Sequence, residues 1–268
     1  MNPRSVIATC QRAARAIVAN PVEAVLYIPE RISMRHQQAP GSYQPDPDWE
    51  ARLHSWLGAA WPCPERGTVD ALMSTVASEL QAQGLRLGRQ TYGEYSDAEL
   101  SMARAAWCTV LHQQPSVVIE TGVARGVTSR IVLEALRRND HGHLWSIDLP
   151  HPRDEHLHAQ IGAAVPSSHR ARWSYVEGSS RRRLPPLLRS VARVDLFIHD
   201  SLHTARNTRF EMQRTLPALA TGGVMIVDDI SPHQAFADFA RDFPLLETLV
   251  CPHSDRAGSF FGLVHKPA

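Results

Sequence analysis

Apolar side chains recur with one period in the first part of the chain and with another in the second. Up to His112 their spacing is helical, and from Pro115 onward short β-branched runs appear between helical segments. The helices predicted in the first part are Ser5–Asn20, one restarting at Pro21, Trp49–Leu57, Val69–Leu80 and Ala98–His112. Ser96 or Asp97 can cap the last of these. The stretch Gln37–Asp48, rich in Gln, Pro, Gly, Ser and Asp, predicts a linker.

The second part predicts an α/β sheet. Its strands are Val117–Thr121, His143–Asp148, Trp173–Val176, Val194–Asp200 and Gly223–Asp228. The helices between and after them are Ser129–Arg138, Asp154–Ala164, Arg182–Val191, Arg206–Ala220 and Pro232–Asp242. This alternation specifies a mostly parallel sheet covered on both faces. Two last runs, Leu245–Cys251 and Ser259–His265, have no helix between them, so we expect an antiparallel hairpin.

Composition narrows the possible partners. The 268 residues can hold one large domain with an appendage, and 28 basic against 27 acidic residues leave a net charge of +1. We therefore expect no nucleic acid partner, and no run approaches the roughly 20 apolar residues of a membrane span. The four cysteines are far apart, with no C-x-x-C pair. Their spacing argues against a structural zinc site or a disulfide framework and favours a reducing, cytoplasmic location.

The stretch Glu120–Thr128 leads a strand into a helix through Gly122 and Gly126. Glycines there let the backbone turn tightly and approach a ligand at the helix N-terminus, as nucleotide sites require. A purely structural turn is the alternative, and the spacing G-x-x-x-G differs from the G-x-G-x-x-G of dinucleotide sites. Arg125, inside this turn, could meet a substrate carboxylate or phosphate, but we expect it to face solvent. Asp148 ends the next strand, where a carboxylate can accept hydrogen bonds from a ribose or serve as a turn residue.

Three further carboxylates end the predicted strands. Asp200 ends the fourth strand, and Asp228 and Asp229 end the fifth. Because parallel strands end at one edge of a sheet, these groups should converge and repel each other unless a cation neutralises them. Oxygen ligands without cysteine suit Mg²⁺. The alternative is that Asp228 and Asp229 only cap the following helix.

From Tyr92 to Lys266 the chain resembles the class I S-adenosylmethionine-dependent methyltransferases. Glu120–Thr128 looks like their first motif, E-x-G-x-x-x-G-x-S/T. Phe197–His203 and Gly222–Ile230 resemble the metal-dependent O-methyltransferases of the macrocin and mycinamicin sugar group and, more distantly, catechol O-methyltransferase. The resemblance implies a Rossmann-like, doubly wound, mostly parallel seven-stranded sheet with a C-terminal antiparallel hairpin, preceded by a helical N-terminal extension.

The resemblance also implies roles for particular residues. Those that would bind the cofactor are Glu120, Gly122, Gly126, Thr128, Asp148, Gly178, Ser179 and Ser180. Asp200, Asp228 and Asp229 would bind Mg²⁺, and Asp200 would take part in catalysis. His203, three residues after Asp200, would be the general base, since a free imidazole with a pKa near ~6.5 can accept a proton at neutral pH. Gly126→Val would fill space the cofactor needs and leave the fold mostly intact.

The activity expected is Mg²⁺-dependent transfer of a methyl group from S-adenosylmethionine to a hydroxyl of a small molecule, such as a sugar or another natural product. The alternatives are an NAD-dependent oxidoreductase, a hydroxylase-like relative on the same fold and a catalytically idle cofactor-binding protein. Residues 1–91 would form the extension, as a substrate lid or an interface in a homodimer or higher homo-oligomer. Residues 92–268 would form the methyltransferase domain.

Overall fold

The chain folds around one mixed seven-stranded sheet. A computed structural model describes residues 21–23, 25–26, 29–30, 42–86, 88, 91–92, 99–149 and 154–267. The strands are β1 Val117–Thr121, β2 His143–Asp148, β3 Trp173–Glu177, β4 Val194–His199, β5 Leu219–Val227, β6 Glu247–Pro252 and β7 Phe260–His265. Their order is β3-β2-β1-β4-β5-β7-β6, with β7 antiparallel to both neighbours. The predicted fold, including the antiparallel C-terminal pair, is confirmed.

The helices are α1 Trp49–Trp56, α2 Arg66–Ala82, α3 Leu100–Gln113, α4 Val127–Asn139, α5 Glu155–His158, α6 Ser180–Val191, α7 Ala205–Thr215 and α8 Ala235–Asp242. A 3₁₀ helix covers Ser167–Arg172. Residues 21–23, 25–26 and 29–30 are also helical, whereas the predicted helix Ser5–Asn20 lies outside the described residues. Within the described part of the chain, none of the helices has the length and apolar character to cross a membrane.

Among the predicted helix boundaries, one is wrong for a local reason and another because of a tertiary contact. Helix α3 begins at Leu100, because the Glu99 carboxylate accepts the N–H groups of Ser101 and Met102 at 2.9 and 3.3 Å. The predicted helix Asp154–Ala164 ends at His158. Beyond it Gly162 has a φ of +67° and donates its N–H to the carbonyl of Ala124 at 3.0 Å, so the segment joins the glycine turn after β1.

The sheet buries a different set of side chains on each face. Alternate residues of β4, such as Leu196 and Ile198, pack with α1, α3 and α4, and Trp49 of α1 belongs to the same core. Phe197 points to the opposite face and packs with α6, α7 and α8. This alternation is the period of two expected of a strand covered on both sides.

The central strands end in close contact at Gly122. A Cβ atom built there would lie 1.9 Å from the carbonyl oxygen of Asp200, and φ is +86°. Only glycine fits both the space and this backbone conformation. Since β1 pairs with β2 and β4, and β4 with β5, the carboxyl ends of these strands meet along one edge. That edge carries the predicted site.

The C-terminal hairpin offers a matched test of core burial. Leu263 on β7 is fully buried, whereas Leu245, just before β6, is 88% exposed. Leu263→Ala should lower the free energy of unfolding by about 2–5 kcal/mol, because it leaves a cavity in the core. Leu245→Ala should stay within about 0.5 kcal/mol of wild type. Equal losses in urea-induced unfolding would contradict the packing described.

Candidate active site

Two carboxylates and an imidazole converge at the ends of β4 and β5. Asp200 follows β4, Asp228 follows β5, and His203 lies in the loop after Asp200. Each offers one possible ligand atom, and these atoms lie within 4.8 Å of one another. His203 Nε2 is 3.6 Å from Asp200 Oδ1. The sequence prediction that Asp200 and Asp228 meet at one sheet edge is therefore confirmed.

The proximity of these carboxylates disfavours a full negative charge on both. Burial raises the pKa of Asp200 well above its usual value, and the charges of Asp228 and Glu120 raise it further. The Asp200 side chain keeps 26% of its surface exposed, so a ligand can still reach it. Without a counter-cation, Asp200 takes up a proton more readily than an ordinary aspartate. The pair has the character of a binding site for positive charge.

Asp228 is held by a histidine that sequence reasoning did not find. Burial opposes ionisation of Asp228, but His253 and His203 outweigh it and hold its pKa below the usual range. His253 is buried between Glu99 and Asp228, with ring nitrogens 3.0 Å from each carboxylate. The contact with Glu99 is a hydrogen bond, whereas the contact with Asp228 lacks hydrogen-bond alignment and is an ion pair by distance.

This arrangement makes His253 a buried cation. Burial opposes its charge, but Asp228 and Glu99 overcome that effect and raise its pKa to about 9. His253 follows β6 and Glu99 precedes α3, so 154 residues of chain separate them. Because no local motif marks either residue, only the fold brings them to the site.

Asp229 has different partners from Asp200. Its carboxylate lies 3.5 Å from a guanidinium nitrogen of Arg256 and accepts a hydrogen bond from Ser259 at 3.3 Å. It also offers a ligand atom within 4.8 Å of Asp228 and His253. Asp228 is thus shared between two groups, one with Asp200 and His203 and one with Asp229 and His253.

Glu120 lies buried at the end of β1, and only one of its two carboxylate oxygens has hydrogen-bond partners among the described residues. Its Oε2 accepts hydrogen bonds from Ser129 and Ser146, each at 2.6 Å. Its Oε1 is buried with no hydrogen-bond partner among the described residues. Burial raises the pKa of Glu120 to about 7, and the hydrogen bonds oppose that rise. An unpartnered buried carboxylate oxygen costs free energy unless a donor reaches it, which suits a ligand ammonium group.

The glycine turn is held by Asp148 and by segments on both sides. One oxygen of Asp148 accepts the backbone N–H groups of Val123 and Ala124 at 3.0 and 2.9 Å. Asp148 thus organises the turn, as a turn residue does. Thr128 is buried in the first turn of α4, and its neighbour Ser129 is the residue bonded to Glu120.

Two predictions about the glycine turn are wrong. Gly126→Val would not leave the fold mostly intact, because a Cβ at Gly126 would lie 3.0 Å from the Cα of Gly162 and 3.2 Å from Val165. Arg125 is 4% exposed and does not face solvent. Its guanidinium donates to Gln160 Oε1 at 2.9 Å and to the backbone carbonyls of residues 86 and 91.

The loop after β3 contacts the N-terminal helical segment. Gly178 has a φ of +134°, and the N–H of Ser179 donates to Glu23 Oε1 at 3.2 Å. Ser180 begins α6 and is buried, where its side chain hydrogen-bonds Glu211. Glu23, in the described part of this segment, therefore contacts a loop at the same sheet edge as the carboxylates.

A buried polar network links α7 to the ends of β1 and β4 beside the site. Glu211 of α7 accepts hydrogen bonds from Thr121 and Asn207 at 2.5 and 2.9 Å, and its Oε2 lies 2.7 Å from His199 Nδ1. Burial opposes ionisation, but these contacts outweigh it and lower the pKa of Glu211 to about 2. His199, which the sequence left unassigned, therefore braces the segment before Asp200.

One cavity lies away from this chemistry. It measures about 360 Å³ and borders edge strand β3, lined by His158, Ile161, Arg170, Trp173, Tyr175 and Glu177. None of the predicted site residues lines it. Its volume therefore gives no reason to move the site from the carboxylates.

Residues 119–230, which carry both carboxylates and the glycine turn, match a family of proteins described as a methyltransferase domain. No curated protein matches the chain. The match covers the segment that holds the site and supports the resemblance to the class I methyltransferases that the sequence indicates.

Solved structures share the whole fold. An O-methyltransferase from Bacillus cereus in complex with S-adenosylhomocysteine superposes with a TM-score of 0.53 at 13% identity, covering 80% of this chain and 96% of that one. TomG, the O-methyltransferase from Streptomyces achromogenes involved in tomaymycin synthesis, gives 0.52 at 14%, covering 74% and 90%. A Podospora anserina methyltransferase with bound S-adenosylhomocysteine gives 0.51 at 14%, covering 85% and 100%. At these identities the likeness extends to the fold.

Alanine substitutions at Gly126 and Gly84 distinguish the effect of backbone strain from the effect of steric crowding. Both have positive φ, +78° and +74°, but a Cβ at Gly84 would meet nothing within 4 Å. Both alanine substitutions should destabilise the chain, because alanine is strained at positive φ. Gly126→Ala should lose more, since its Cβ also presses on Gly162. Thermal unfolding of both variants provides the comparison, and an equal or smaller loss at Gly126 would contradict the packing of the turn.

The Glu211 carboxylate should stabilise the fold in a defined pH range. Its pKa falls from an ordinary 4.5 to about 2 on folding. Its stabilisation is therefore complete above about pH 4.5 and is lost as the pH falls toward 2. The difference in unfolding free energy between wild type and Glu211→Gln should shrink across that range. The control is Glu247→Gln, which removes a half-exposed carboxylate that pairs with His265. A difference that stays constant at Glu211 would contradict this assignment.

Proposed function

We propose that the chain transfers a methyl group from S-adenosylmethionine to a hydroxyl of a small molecule, assisted by a divalent cation. The observation that carries this proposal is the convergence of Asp200, His203 and Asp228 at the carboxyl edge of the methyltransferase sheet. In open α/β sheets this edge is where ligands bind. Carboxylates for a cation and an imidazole for a proton lie together there.

The chain's own residues suit the sulfonium cofactor. Bound S-adenosylmethionine supplies an electrophilic methyl group. The unpartnered Oε1 of Glu120 can accept a hydrogen bond from the cofactor's ammonium group, and its negative charge favours that cation. Gly122 leaves the backbone free of a side chain beside this position. Asp148 and the Gly178–Ser180 loop are proposed to border the ribose and adenine, respectively.

The carboxylates suit a hard divalent cation. Asp200 and Asp228 offer oxygen ligands, and their repulsion is relieved by positive charge. A cation held there, with Asp229 as a further proposed ligand, would lower the pKa of an acceptor hydroxyl. Asp229 would have to be shared with Arg256, whose guanidinium neutralises part of its charge. We propose Mg²⁺, because carboxylate oxygens select it over softer metals.

His203 is proposed to remove the acceptor's proton. Its Nε2 faces Asp200, and its Nδ1 is buried with no hydrogen-bond partner among the described residues. A carboxylate beside an imidazole orients the ring and stabilises the charge it gains with a proton. Residues that hold the acceptor oxygen in line with the cofactor's methyl group would supply much of the rate through positioning.

The N-terminal segment is proposed to cover the cofactor edge. Glu23 accepts the Ser179 N–H, and Glu30 lies between Arg206 at 2.8 Å and Thr204 at 2.6 Å. With these contacts, the described residues of this segment would lie over the loops that follow β3 and β4. The proposal also includes a role for residues 1–91 as a substrate lid and assembly of the chain into a homo-oligomer. The proposed acceptor is a sugar or another natural product.

Turnover should depend on a divalent cation and on Asp228, one of its proposed ligands. Chelation should stop turnover and added Mg²⁺ should restore it. Asp228→Asn should lower turnover by at least ~100-fold, the order expected when one preorganised electrostatic group is lost. The control is Asp238→Asn, which breaks a surface pair with Arg209 and Arg241. Full activity in excess chelator, or in Asp228→Asn, would reduce these carboxylates to a structural role.

The base role of His203 makes a separate prediction. His203→Ala should lower turnover by at least ~100-fold, since general-base catalysis contributes about 10²–10⁴-fold. It should leave S-adenosylmethionine affinity nearly unchanged and remove the acidic limb of the pH–rate profile. The matched control is His156→Ala on α5, where the residue is exposed. A His203→Ala variant that keeps the wild-type acidic limb would move the base elsewhere.

A further inference from the structure

A second group of metal-ligating side chains lies on the helical side of the fold. It comprises His54 of α1, Cys63 in the following loop, and Cys108 and His112 of α3. One ligand atom from each lies within 4.8 Å of all the others. Cys108 follows Glu99 by nine residues, which is about 13 Å along a helix at 1.5 Å per residue. This group is therefore separate from the carboxylates of the proposed active site.

Two of the distances within the group match those of a tetrahedral metal site. Zinc bonds of about 2.3 Å to sulfur and about 2.0–2.1 Å to nitrogen place two sulfur ligands about 3.8 Å apart, and a sulfur and a nitrogen about 3.6 Å apart. The Sγ atoms of Cys63 and Cys108 are 3.8 Å apart. Cys63 Sγ is 3.6 Å from Nε2 of His112. The cysteines are free thiols, so no disulfide accounts for their proximity.

His54 has the orientation of a metal ligand. Its Nδ1 lies 2.6 Å from the carbonyl oxygen of Glu50, to which it can only donate. The neutral ring therefore carries its proton on Nδ1 and leaves the Nε2 lone pair free. That Nε2 is buried with no hydrogen-bond partner among the described residues, and His54 is only 2% exposed. A backbone carbonyl that fixes the far nitrogen is the usual support of a metal-bound histidine.

A small space lies beside three of these four side chains. A cavity of about 10 Å³ borders His54, Cys63 and Cys108. The i, i+4 spacing of Cys108 and His112 sets both on one face of α3. The wide sequence spacing of the cysteines, which argued against zinc, is thus overcome by the packing of α1 and its loop against α3.

We propose that His54, Cys63, Cys108 and His112 bind one structural zinc ion. Two thiolates and two imidazoles form a closed tetrahedral set with no position left for substrate or water. Zinc would displace the two thiol protons, and the charges of ion and thiolates would cancel. The ion would fasten α1 and its loop to α3, which packs directly on the sheet.

Zinc content and cobalt spectroscopy of the full chain test this proposal. Protein reconstituted with zinc and freed of excess metal should retain one zinc ion per chain. Substitution by Co²⁺ should produce the thiolate-to-cobalt absorption and the strong visible bands of a tetrahedral site. Cys63→Ser and His112→Ala should lose that ion. Cys251→Ser, which alters a buried cysteine outside the group, and Asp228→Asn, which alters the proposed active site, should keep it.

Removal of the ion should also lower the thermal unfolding temperature of the wild type, which requires no variant to fold. A chain without zinc after reconstitution, or cobalt spectra without thiolate bands, would overturn the proposal. So would zinc that is lost in Asp228→Asn but retained in Cys63→Ser. A Cys63–Cys108 disulfide found by mass spectrometry after reduction and zinc loading would overturn it as well. These outcomes are independent of methyl transfer, which is measured separately.

Discussion

The contact between Gly122 and the Asp200 carbonyl fixes how the two central strands end. Any side chain at Gly122 would overlap that carbonyl, so the turn after β1 and the loop after β4 can approach only through glycine. The same approach sets Glu120 and Asp200 side by side, and the pairing of β4 with β5 adds Asp228. The position of the site is thus a consequence of sheet geometry at one residue.

That geometry concentrates negative charge in a partly buried edge. The chain compensates part of this charge itself, through the buried cation His253 between Glu99 and Asp228 and through Arg256 beside Asp229. Among the described residues, Asp200 has only the imidazole of His203 within ion-pair distance, and Oε1 of Glu120 has no hydrogen-bond partner. A cation at the first and an ammonium group at the second would complete the electrostatic balance, which is the physical basis of the proposed chemistry.

The sequence alone predicted those elements that are determined by residues close together in the chain. Strands β1, β2, β4 and β7 follow from β-branched and apolar runs, and the aspartates at the ends of β4 and β5 follow from their place after those runs. Gly162 ended a predicted helix because its segment binds the glycine turn, a tertiary contact that helical periodicity does not contain. Arg125 was misjudged for the same reason, since its carbonyl partners lie more than 30 residues away.

The residues that sequence reasoning missed share one property: their partners are distant in the chain. His253 contacts Glu99, which is 154 residues away in the sequence, and Cys63 contacts Cys108, which is 45 residues away. Spacing rules for cysteines apply to ligands supplied by one short segment, so a site assembled from two helices and a loop does not appear in them.

The central claim is that this edge of the sheet binds S-adenosylmethionine. Isothermal titration calorimetry of the full chain with S-adenosylmethionine and with NAD, each with and without Mg²⁺, tests it directly. We expect saturable one-to-one binding of S-adenosylmethionine, weakened when Glu120 is replaced by glutamine, and no binding of NAD. Tight NAD binding without a signal for S-adenosylmethionine would contradict it.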